Sequence, residues 1–346
     1  MKATSRLTTP RAWPGHLRSL IMAYSPAILL WTLAGCSQQV QPSTLAGANA
    51  IRGAEPEATG IEMCGTLKLP GHWPGTDISL GGLSAAGWDN DEQVLYLVSD
   101  RGRLHVTRPV FDGDKLTDLE MLDSAPLLDT HGNPLRGKDV DAESLVVLHA
   151  NDGTPGNSEL LVGFEQDHRL QSFMPDGQPV GDPLRPQGVQ GASANAAMEA
   201  LAEIPGLGII AGLESPPEGA DDKVTRLFTI DDQQQWHYPL SSAVGSALTD
   251  MAPLPTRPEE PPAALMLERA YAPPHPLVIS LSKAELLAPP NTRVTRITRL
   301  SSSEGWRLDN MEGLAALPNS RFLMVSDDNF SVLQRSLVTC FRLAGS

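Results

Sequence analysis

The sequence lacks several patterns that would assign it to a common class of enzyme. No Gly-x-Ser-x-Gly segment occurs, so the nucleophile turn of the α/β-hydrolases is excluded. Glycine-rich phosphate loops and basic tracts are also missing, which argues against a nucleotide-binding loop. The His and Cys residues form no cluster with zinc-ligand spacing. A serine nucleophile, Ser84 or Ser326 with His168 as its partner, is therefore the less favoured alternative for any chemistry.

Positive charge is scarce. The chain has 26 basic and 41 acidic residues, a net charge of -15. Four of the basic residues precede Cys36, so a chain that begins at Cys36 carries 22 minus 41, or -19. Such a chain is a poor candidate for binding nucleic acid. The acidity suits cation binding or solubility in an aqueous compartment.

Long apolar runs are absent too, and the longest candidate, Leu20 to Leu33, has roughly 14 residues where a spanning helix needs about 20. It follows four basic residues and ends in Leu33-Ala34-Gly35-Cys36, the pattern of a lipoprotein signal. We therefore predict a signal peptide over residues 1–35 and a lipid on Cys36. The alternatives are a buried hydrophobic helix or a plain membrane anchor.

The expected consequence is a protein of the cell envelope. Residues 36–58 are rich in Ala, Gly, Pro, Ser and Gln and are predicted to form a flexible tether, with one domain over residues 59–346. The lipid would hold this domain on a membrane, facing the periplasm. The residue after Cys36 is Ser37 and not Asp, which favours the outer membrane by resemblance to enteric sorting rules.

Cysteine is scarce as well. With Cys36 assigned to lipid, Cys64 and Cys340 remain, near the two ends of the predicted domain. In an oxidising compartment such a pair can form a disulfide. Two buried thiols are the alternative.

Helical periodicity is rare, and only Leu281 to Leu287 suggests a helical turn or two. Short β-rich runs bounded by Gly, Pro, Asn or Asp recur instead, for example Val94 to Val98, Ser144 to Leu148 and Phe322 to Val325. The 30 Pro and 30 Gly residues fit a chain of short strands and loops. We predict an all-β protein.

An internal repeat refines this prediction. A polar or acidic residue beside a small residue and Leu or Met recurs about every 57 residues, and a β-run that ends in an acid follows 15 to 22 residues later. The first position of each repeat is residue 84, 143, 199, 250 or 312, and the second is Asp100, Glu165, Glu214, Glu268 or Asp327.

Repeated units of short strands predict a β-propeller with blades around a central channel. Five repeats fill the domain, but 57 residues is long for a blade of about 40 to 50, so five and six blades both remain open. Strands of a sixth blade could lie in Val106 to Leu122 and Leu277 to Leu300. The N-terminal strand is expected to close the ring with the last blade. A pair of β-sandwiches and a β-helix are the alternatives.

Acids at corresponding positions of successive blades would converge on one end of the channel. One set is Asp100, Glu165, Glu214, Glu268 and Asp327, and the other is Asp141, Glu143, Glu199, Asp250 and Glu312. Gathered carboxylates raise one another's pKa unless a cation neutralises them, and calcium accepts six to eight oxygen ligands. The candidate metal ligands are Asp100, Glu143, Glu165, Glu214 and Glu268. The alternative is that these acids accept hydrogen bonds from loop amides or pair with arginines.

The segments Asp309-Asn310-Met311-Glu312-Gly313-Leu314 and Met324-Val325-Ser326-Asp327-Asp328-Asn329-Phe330 resemble those of a known family. The sequence is similar, over roughly residues 60 to 346, to the exported bacterial proteins with a phytase-like domain, described as having esterase-like activity of phytase. Gly81-Gly82-Leu83-Ser84 and Leu267-Glu268-Arg269 agree with this resemblance. It implies a propeller-like fold and hydrolysis of esters or phosphoesters.

If the domain hydrolyses such bonds, planar guanidinium groups could hold anionic oxygens of the substrate. The candidate ligand-binding residues are Arg101, Arg169, Arg269 and Asn310, and the candidate catalytic residues are Glu312, Glu199 and Asp327. A bound cation would polarise the ester and activate water. The expected partner is a small-molecule ester or phosphoester. The alternative is a noncatalytic propeller that binds a ligand or an envelope protein.

Overall fold

The computed structural model describes residues 43–44, 49–50, 58–196 and 198–345. The predicted signal peptide and Cys36 lie outside the described residues. Within the described part there are 22 β-strands, three single-turn 3-10 helices and no α-helix. The 3-10 helices are Gly137–Asp139, Gln187–Val189 and Ser302–Glu304. No helix in these ranges has the length and apolarity that a membrane span requires.

The strands are numbered in chain order. The first eleven are β1 (Ser43–Thr44), β2 (Asn49–Ala50), β3 (Ile61–Lys68), β4 (Leu83–Asp89), β5 (Val94–Ser99), β6 (Arg103–Asp112), β7 (Lys115–Pro126), β8 (Ala142–Leu148), β9 (Glu159–Phe164), β10 (Arg169–Phe173) and β11 (Pro179–Leu184). The others are β12 (Met198–Ile204), β13 (Gly208–Leu213), β14 (Val224–Thr229), β15 (Gln235–Pro239), β16 (Ser246–Leu254), β17 (Ala263–Ala270), β18 (Val278–Leu286), β19 (Thr292–Ser301), β20 (Asn310–Leu317), β21 (Arg321–Asp327) and β22 (Leu337–Leu343).

These strands form five antiparallel sheets, each of which is one blade of a β-propeller. From the channel outwards the blades are β4-β5-β6-β7-β1, β8-β9-β10-β11, β12-β13-β14-β15, β16-β17-β18-β19 and β20-β21-β22-β3-β2. The innermost strands β4, β8, β12, β16 and β20 each contact the next, and β20 contacts β4, so the ring is closed. The predicted all-β propeller is confirmed, with five blades.

The segments considered for a sixth blade belong to the outer strands of existing blades. Residues 106–122 lie in the long hairpin of β6 and β7, and residues 277–300 lie mainly in β18 and β19. The helical turn suggested for Leu281 to Leu287 is wrong, because residues 281–286 are part of β18 and pair with β17 and β19. The long repeat thus reflects long outer strands and loops.

The ring is closed by the start of the domain. Strand β3 pairs with β22, so the last blade contains strands from both ends of the chain, as predicted. A disulfide joins Cys64 of β3 to Cys340 of β22, across 276 residues of sequence. Both sulfur-bearing side chains are buried in the core between the first and last blades. The predicted pairing of these two cysteines is confirmed.

Part of the segment predicted to be a tether pairs with the domain. Ser43 and Thr44 of β1 lie beside β7, and Asn49 and Ala50 of β2 lie beside β3. These short pairings extend the outer edges of the first and last blades.

The core lies between neighbouring blades, because each inner strand is covered on both faces. All six residues of β5 are buried, and clusters of Leu, Val, Ala and Phe fill the spaces between sheets. A fully buried Leu or Val stabilises the fold by about 1.5–3 kcal/mol. This packing fixes the strand ends that surround the channel.

Candidate functional site at the channel mouth

Each inner strand carries a β-bulge near its first residue, at the same end of the channel. The register shifts between Leu83 and Ala85 in β4, and the same shift recurs in the other four inner strands. A bulge leaves one residue out of the ladder and redirects its side chain. The residues at these positions, here called the bulge tier, are Ser84, Glu143, Glu199, Thr249 and Glu312.

A second set of side chains comes from the second strand of each blade. In the first blade, Leu83 pairs with Ser99, and the next residue along the chain is Asp100. The equivalent residues, here called the strand-end tier, are Asp100, Glu165, Glu214, Arg269 and Asp327. All ten residues of the two tiers line one cavity of about 260 Å³ at the channel mouth, together with Asp141, Asn195 and Asn329.

The mouth concentrates negative charge. Eight of the residues that line this cavity are carboxylic acids, and Arg269 is the one basic residue among them. Burial raises the pKa of Glu143 well above its ordinary value, and Glu312 and Glu165 raise it further by repulsion. Burial and the neighbouring Glu143 raise the pKa of Glu199 in the same way. The site therefore favours protons or another cation.

Three further carboxyl groups of the mouth have displaced pKa values. Burial, with repulsion from Asp327, raises the pKa of Asp100 to about 7. Burial raises the pKa of Glu312 to about 8, although Arg269 opposes this shift. Burial raises the pKa of Asp327 to about 6, opposed by the backbone N–H of Asn329, which donates to its Oδ1 at 2.6 Å. These groups titrate near neutral pH in the absence of a cation.

Arg269 neutralises one side of the mouth. Its Nη2 donates to Oε1 of Glu214 at 3.1 Å, and its Nη1 donates to Oε1 of Glu312 at 2.8 Å and to Oδ1 of Asn310. The Nδ2 of Asn310 donates to the same Glu312 oxygen at 2.6 Å and to Oδ2 of Asp327 at 3.5 Å. This side is a connected polar network.

The opposite side has the geometry of a cation site. Asp141, Glu143 and Glu165 can each present one oxygen, and these three oxygens lie within 4.8 Å of one another. In the same mouth, Oδ1 of Asp100 is buried without a hydrogen-bond partner. Oxygen-only donors with tolerant geometry suit calcium. The residues present therefore fit a calcium ion.

Gly82 leaves room for the side chains of Asp100 and Phe330. It has a φ of +68°, and a Cβ at this position would lie 2.3 Å from Oδ1 of Asp100 and 2.6 Å from the Phe330 ring. The backbone N–H of Gly82 donates to Oδ1 of Asp328 at 3.0 Å. Only glycine combines this backbone conformation with the available space.

A larger cleft opens beside the mouth, between the loops of the fourth and fifth blades. It has a volume of about 620 Å³ and shares Arg269, Glu312 and Asn329 with the acidic cavity. Tyr271, Leu277 and Leu333 line its outer part. The opposite end of the channel is a cavity of about 170 Å³ lined mostly by Ala, Val, Leu and Met, so the polar groups are concentrated at one end.

The sequence profile of a known family covers most of this domain. Residues 78–330 match the family named Phytase-like, described as "Esterase-like activity of phytase". The chain belongs to the phytase-like family. No curated protein matches its sequence.

Two solved structures illustrate its distant similarities. The WD40 domain of Neurospora crassa Pan2 is 10% identical, with 85% of this chain and 98% of that chain covered and a TM-score of 0.41. A luciferin-regenerating enzyme is 11% identical, with 77% and 94% covered and a TM-score of 0.39. Both similarities are too weak to carry a conclusion about this phytase-like domain.

The fourth blade of the phytase-like domain departs from the predicted set of acids. Leu248 pairs with Glu268, so the following residue, Arg269, occupies the strand-end tier. Glu268 accepts hydrogen bonds from the Tyr238 hydroxyl at 2.6 Å, the Ser241 N–H at 2.7 Å and the Ser246 hydroxyl at 2.7 Å. Glu268, predicted to be a metal ligand, is therefore engaged by these three donors and does not line the mouth.

The same displacement by one residue affects the bulge tier. Thr249 occupies the bulge, whereas the carboxylate of Asp250 accepts the N–H of Leu314 at 2.6 Å and that of Met251 at 2.8 Å. A shift of one residue moves a side chain to the other face of a strand. The Asp250 carboxylate therefore binds the backbone of the neighbouring blade and does not line the mouth.

Two of the predicted ligand-binding arginines lie outside the mouth of the phytase-like domain. The Arg101 guanidinium stacks over the Phe330 ring, 3.3 Å from its centroid. Arg169 is buried, stacks 3.8 Å from the centroid of Phe164, and donates to the carbonyl of Asp139 at 2.6 Å. These contacts occupy both side chains, whereas Arg269 and Asn310, the other two candidate ligand-binding residues, line the cleft.

Sequence reasoning missed Thr249 as a member of the bulge tier and Asn329 as a residue of the mouth. The signal for Thr249 is the apolar residue that precedes each bulge, which is Leu248 in the fourth blade and Leu83 in the first. Alignment on that residue, instead of on the acid, places all five bulges. Asn329 has a φ of +47°, a turn conformation that its sequence neighbours do not signal.

Proposed function

We propose that this protein is a calcium-dependent hydrolase of ester or phosphoester bonds that acts at the channel mouth. The observation that supports this proposal is the division of the mouth into two sides. One side holds the acidic cluster of Asp141, Glu143 and Glu165. The other holds Arg269 beside a substrate-sized cleft. The family description, esterase-like activity of phytase, agrees with this chemistry.

The cation would be held by Asp141, Glu143 and Glu165, with Asp100 as a further oxygen donor. Once bound, such an ion polarises the ester and lowers the pKa of a water molecule. Glu143 and Asp100, whose pKa values are raised by burial, would lose protons when the ion binds, because the positive charge replaces them. Calcium binding should therefore release protons.

Glu312 and Asp327 are suited to proton transfer. Their pKa values, about 8 and about 6, lie on either side of neutral pH. Groups whose environments separate their pKa values in this way can serve as acid and base. Glu312 would donate a proton to the leaving group, and Asp327 would accept one from the attacking water. Asn310 contacts both carboxyl groups and would hold them in place.

Arg269 would orient the substrate. Its guanidinium lies at the boundary between the acidic cavity and the cleft, and its hydrogen bonds to Glu214 and Glu312 fix its plane. A fixed guanidinium holds an ester or phosphoryl oxygen with defined geometry. Glu199 completes the bulge tier between these two sides and is proposed as a positioning residue.

The test compares two Glu→Gln variants. Chelator-treated protein is titrated with calcium in a calorimeter and assayed with p-nitrophenyl acetate and p-nitrophenyl phosphate, with and without calcium. Glu143→Gln should lower calcium affinity at least tenfold and reduce turnover. Glu203→Gln, an exposed residue of β12, is the matched control and should change neither.

The outcomes separate the candidate functions. Turnover that requires calcium and is lost with Glu143→Gln supports the hydrolase. Calcium binding without turnover of either substrate would favour the noncatalytic binding propeller. No heat and no change in melting temperature on adding calcium would overturn the proposed metal site.

We further propose that the protein is exported and anchored to a membrane of the cell envelope by a lipid on Cys36. The Cys64–Cys340 disulfide supports an oxidising compartment, because such bonds form and persist there. Labelling of cells with a clickable fatty acid should tag the wild type and not Cys36→Ser. An untagged wild type would contradict the anchor.

A further inference from the structure

We infer that the substrate is an amphiphilic monoester, whose polar end lies at Arg269 and whose apolar part lies in the cleft between the fourth and fifth blades. This inference rests on the proposed function and adds the class of substrate. Three features of the mouth carry it: the lining of the cleft, the exposed apolar side chains around it, and the charge of the cavity.

The cleft is lined by both ionic and apolar side chains. Arg269 and Glu312 form the end that joins the acidic cavity. Tyr271, Leu277 and Leu333 supply its apolar lining, and Tyr271 and Leu333 lie towards its opening, because they are largely exposed. The other polar lining residues are Asp309, Asn310, Asn329, Ser331 and Gln334. A molecule that fills this space of about 620 Å³ therefore meets ionic groups where the cleft joins the cavity and hydrocarbon towards its opening.

Exposed apolar side chains gather around the same opening. Val244, Tyr271, Val332 and Leu333 are 57%, 63%, 101% and 90% exposed. They lie on three loops, which join β15 to β16, β17 to β18, and β21 to β22. The second and third of these loops leave the strand ends that carry Arg269 and Asp327, so they border the mouth. The first loop contacts the second, because the Tyr271 N–H donates to the Gly245 carbonyl at 3.3 Å. Of the four side chains, Tyr271 and Leu333 line the cleft. Exposed apolar groups clustered beside a polar cleft mark a binding site for an apolar group.

The charge of the cavity disfavours a polyanionic substrate. Eight carboxylic acids surround one guanidinium, which already pairs with Glu214 and Glu312. A compact polyphosphate would bring several negative charges into this field and would require several cations to offset them. A monoester brings at most two negative charges and therefore meets less repulsion in this field. The mouth therefore suits a substrate with a single ester group.

The experiment varies chain length and measures turnover and binding separately. Calcium-loaded protein is assayed with p-nitrophenyl acetate, butyrate and octanoate, and calorimetry measures binding of butylphosphonate, octylphosphonate and inositol hexakisphosphate. We expect kcat/KM to rise about two- to fourfold per methylene over the shorter chains. Leu333→Ser should lower the ratio of octanoate to acetate turnover about tenfold. Leu184→Ser, an exposed leucine of β11, should leave that ratio unchanged.

The two readouts distinguish failure of this inference from failure of the proposed function. Esters that are hydrolysed without chain-length preference, or with a preference that Leu333→Ser leaves intact, would overturn the substrate class while the hydrolase stands. Tighter binding of inositol hexakisphosphate than of octylphosphonate would also overturn it. If no ester is hydrolysed but octylphosphonate binds more tightly than butylphosphonate, and only Leu333→Ser removes the difference, the ligand class stands and the hydrolase fails.

Discussion

Arg269 and Glu214 occupy equivalent positions on neighbouring blades, and the guanidinium of Arg269 donates to Oε1 of Glu214 at 3.1 Å. The other three members of the strand-end tier are acids. One substitution in a repeated position therefore converts repulsion between two blades into attraction. It also gives the mouth two unlike sides, which a symmetrical ring of acids would lack.

Arg269→Gln should destabilise the protein by about 2 kcal/mol at pH 8, because it leaves Glu214 and Glu312 without their partner. Part of the cost is relieved at low pH, since both carboxyls can then hold protons. Loss of Arg269 also raises the pKa of Glu312 above about 8. Chemical denaturation at pH 5 and pH 8, without calcium, measures the difference. Arg226→Gln is the control, because Arg226 donates to the backbone carbonyls of Gly188 and Gln190, which do not titrate. An equal loss at both pH values for Arg269→Gln would contradict this account.

Without a divalent cation, the free energy of unfolding should fall as pH rises from about 5 to about 8. Asp327, Asp100 and Glu312 have folded-state pKa values of about 6, 7 and 8, above their ordinary values of 3.8, 3.8 and 4.5. The folded protein thus holds protons that the unfolded chain has already released, and stability declines with pH over that interval.

Urea denaturation in chelator at several pH values checks this slope. Asp100→Asn should make the slope shallower, because it removes one of the three groups. Added calcium should do the same, because it stabilises the ionised carboxylates. Stability that is constant or increases between pH 5 and pH 8 in chelator would exclude the raised pKa values.

Glu268→Gln should lower the free energy of unfolding by about 1–3 kcal/mol and leave calcium affinity unchanged. The carboxylate accepts three hydrogen bonds, from Tyr238, Ser241 and Ser246, and the amide would place donors against donors. Glu165→Gln is the matched variant from the same position in the sequence repeat. It should lower calcium affinity at least tenfold. Calorimetry measures the calcium affinity of both variants. A comparable loss of affinity in Glu268→Gln would show that Glu268 is a ligand after all.

Replacement of both Cys64 and Cys340 by Ala should lower the free energy of unfolding by about 2–5 kcal/mol. The disulfide closes 276 residues of sequence and restricts the unfolded chain. It also joins β3 to β22, the one place where the two ends of the domain meet in a sheet. Denaturation of the variant, of the oxidised wild type and of the reduced wild type measures the effect. The variant should match the reduced protein, and one as stable as the oxidised protein would show that the ring closes without the bond.

The sequence repeat was sufficient to predict a five- or six-bladed propeller, because each blade begins with the same short pattern. Glu143, Glu199 and Glu312 could be placed at the mouth for the same reason. The mouth residues of the fourth blade could not be placed in this way, because an acid lies next to each of its two channel-facing positions. Asp250 and Glu268 fit the sequence repeat, yet each lies one residue away from the side chain that faces the channel.

The cleft was beyond the reach of sequence patterns for a different reason. Its outer part is formed by Tyr271 and Leu333, on loops of two different blades. Asn329 and Phe330 turn the second of these loops through left-handed backbone conformations with φ of +47° and +49°. Such loop geometry depends on tertiary contacts, including the hydrogen bond from the Gly82 N–H to Asp328 at 3.0 Å and the stacking of Arg101 over Phe330. Local residue preferences do not encode it.

The five bulges separate the chemistry of the channel from the stability of its wall. A residue at a bulge has no partner opposite it in the ladder, so it can be exchanged while the sheet keeps its pairing. The bulge tier of this chain already contains Ser84, Thr249 and three glutamates. The five blades can therefore present different functional groups at the mouth while the ladders that form the wall keep the same register.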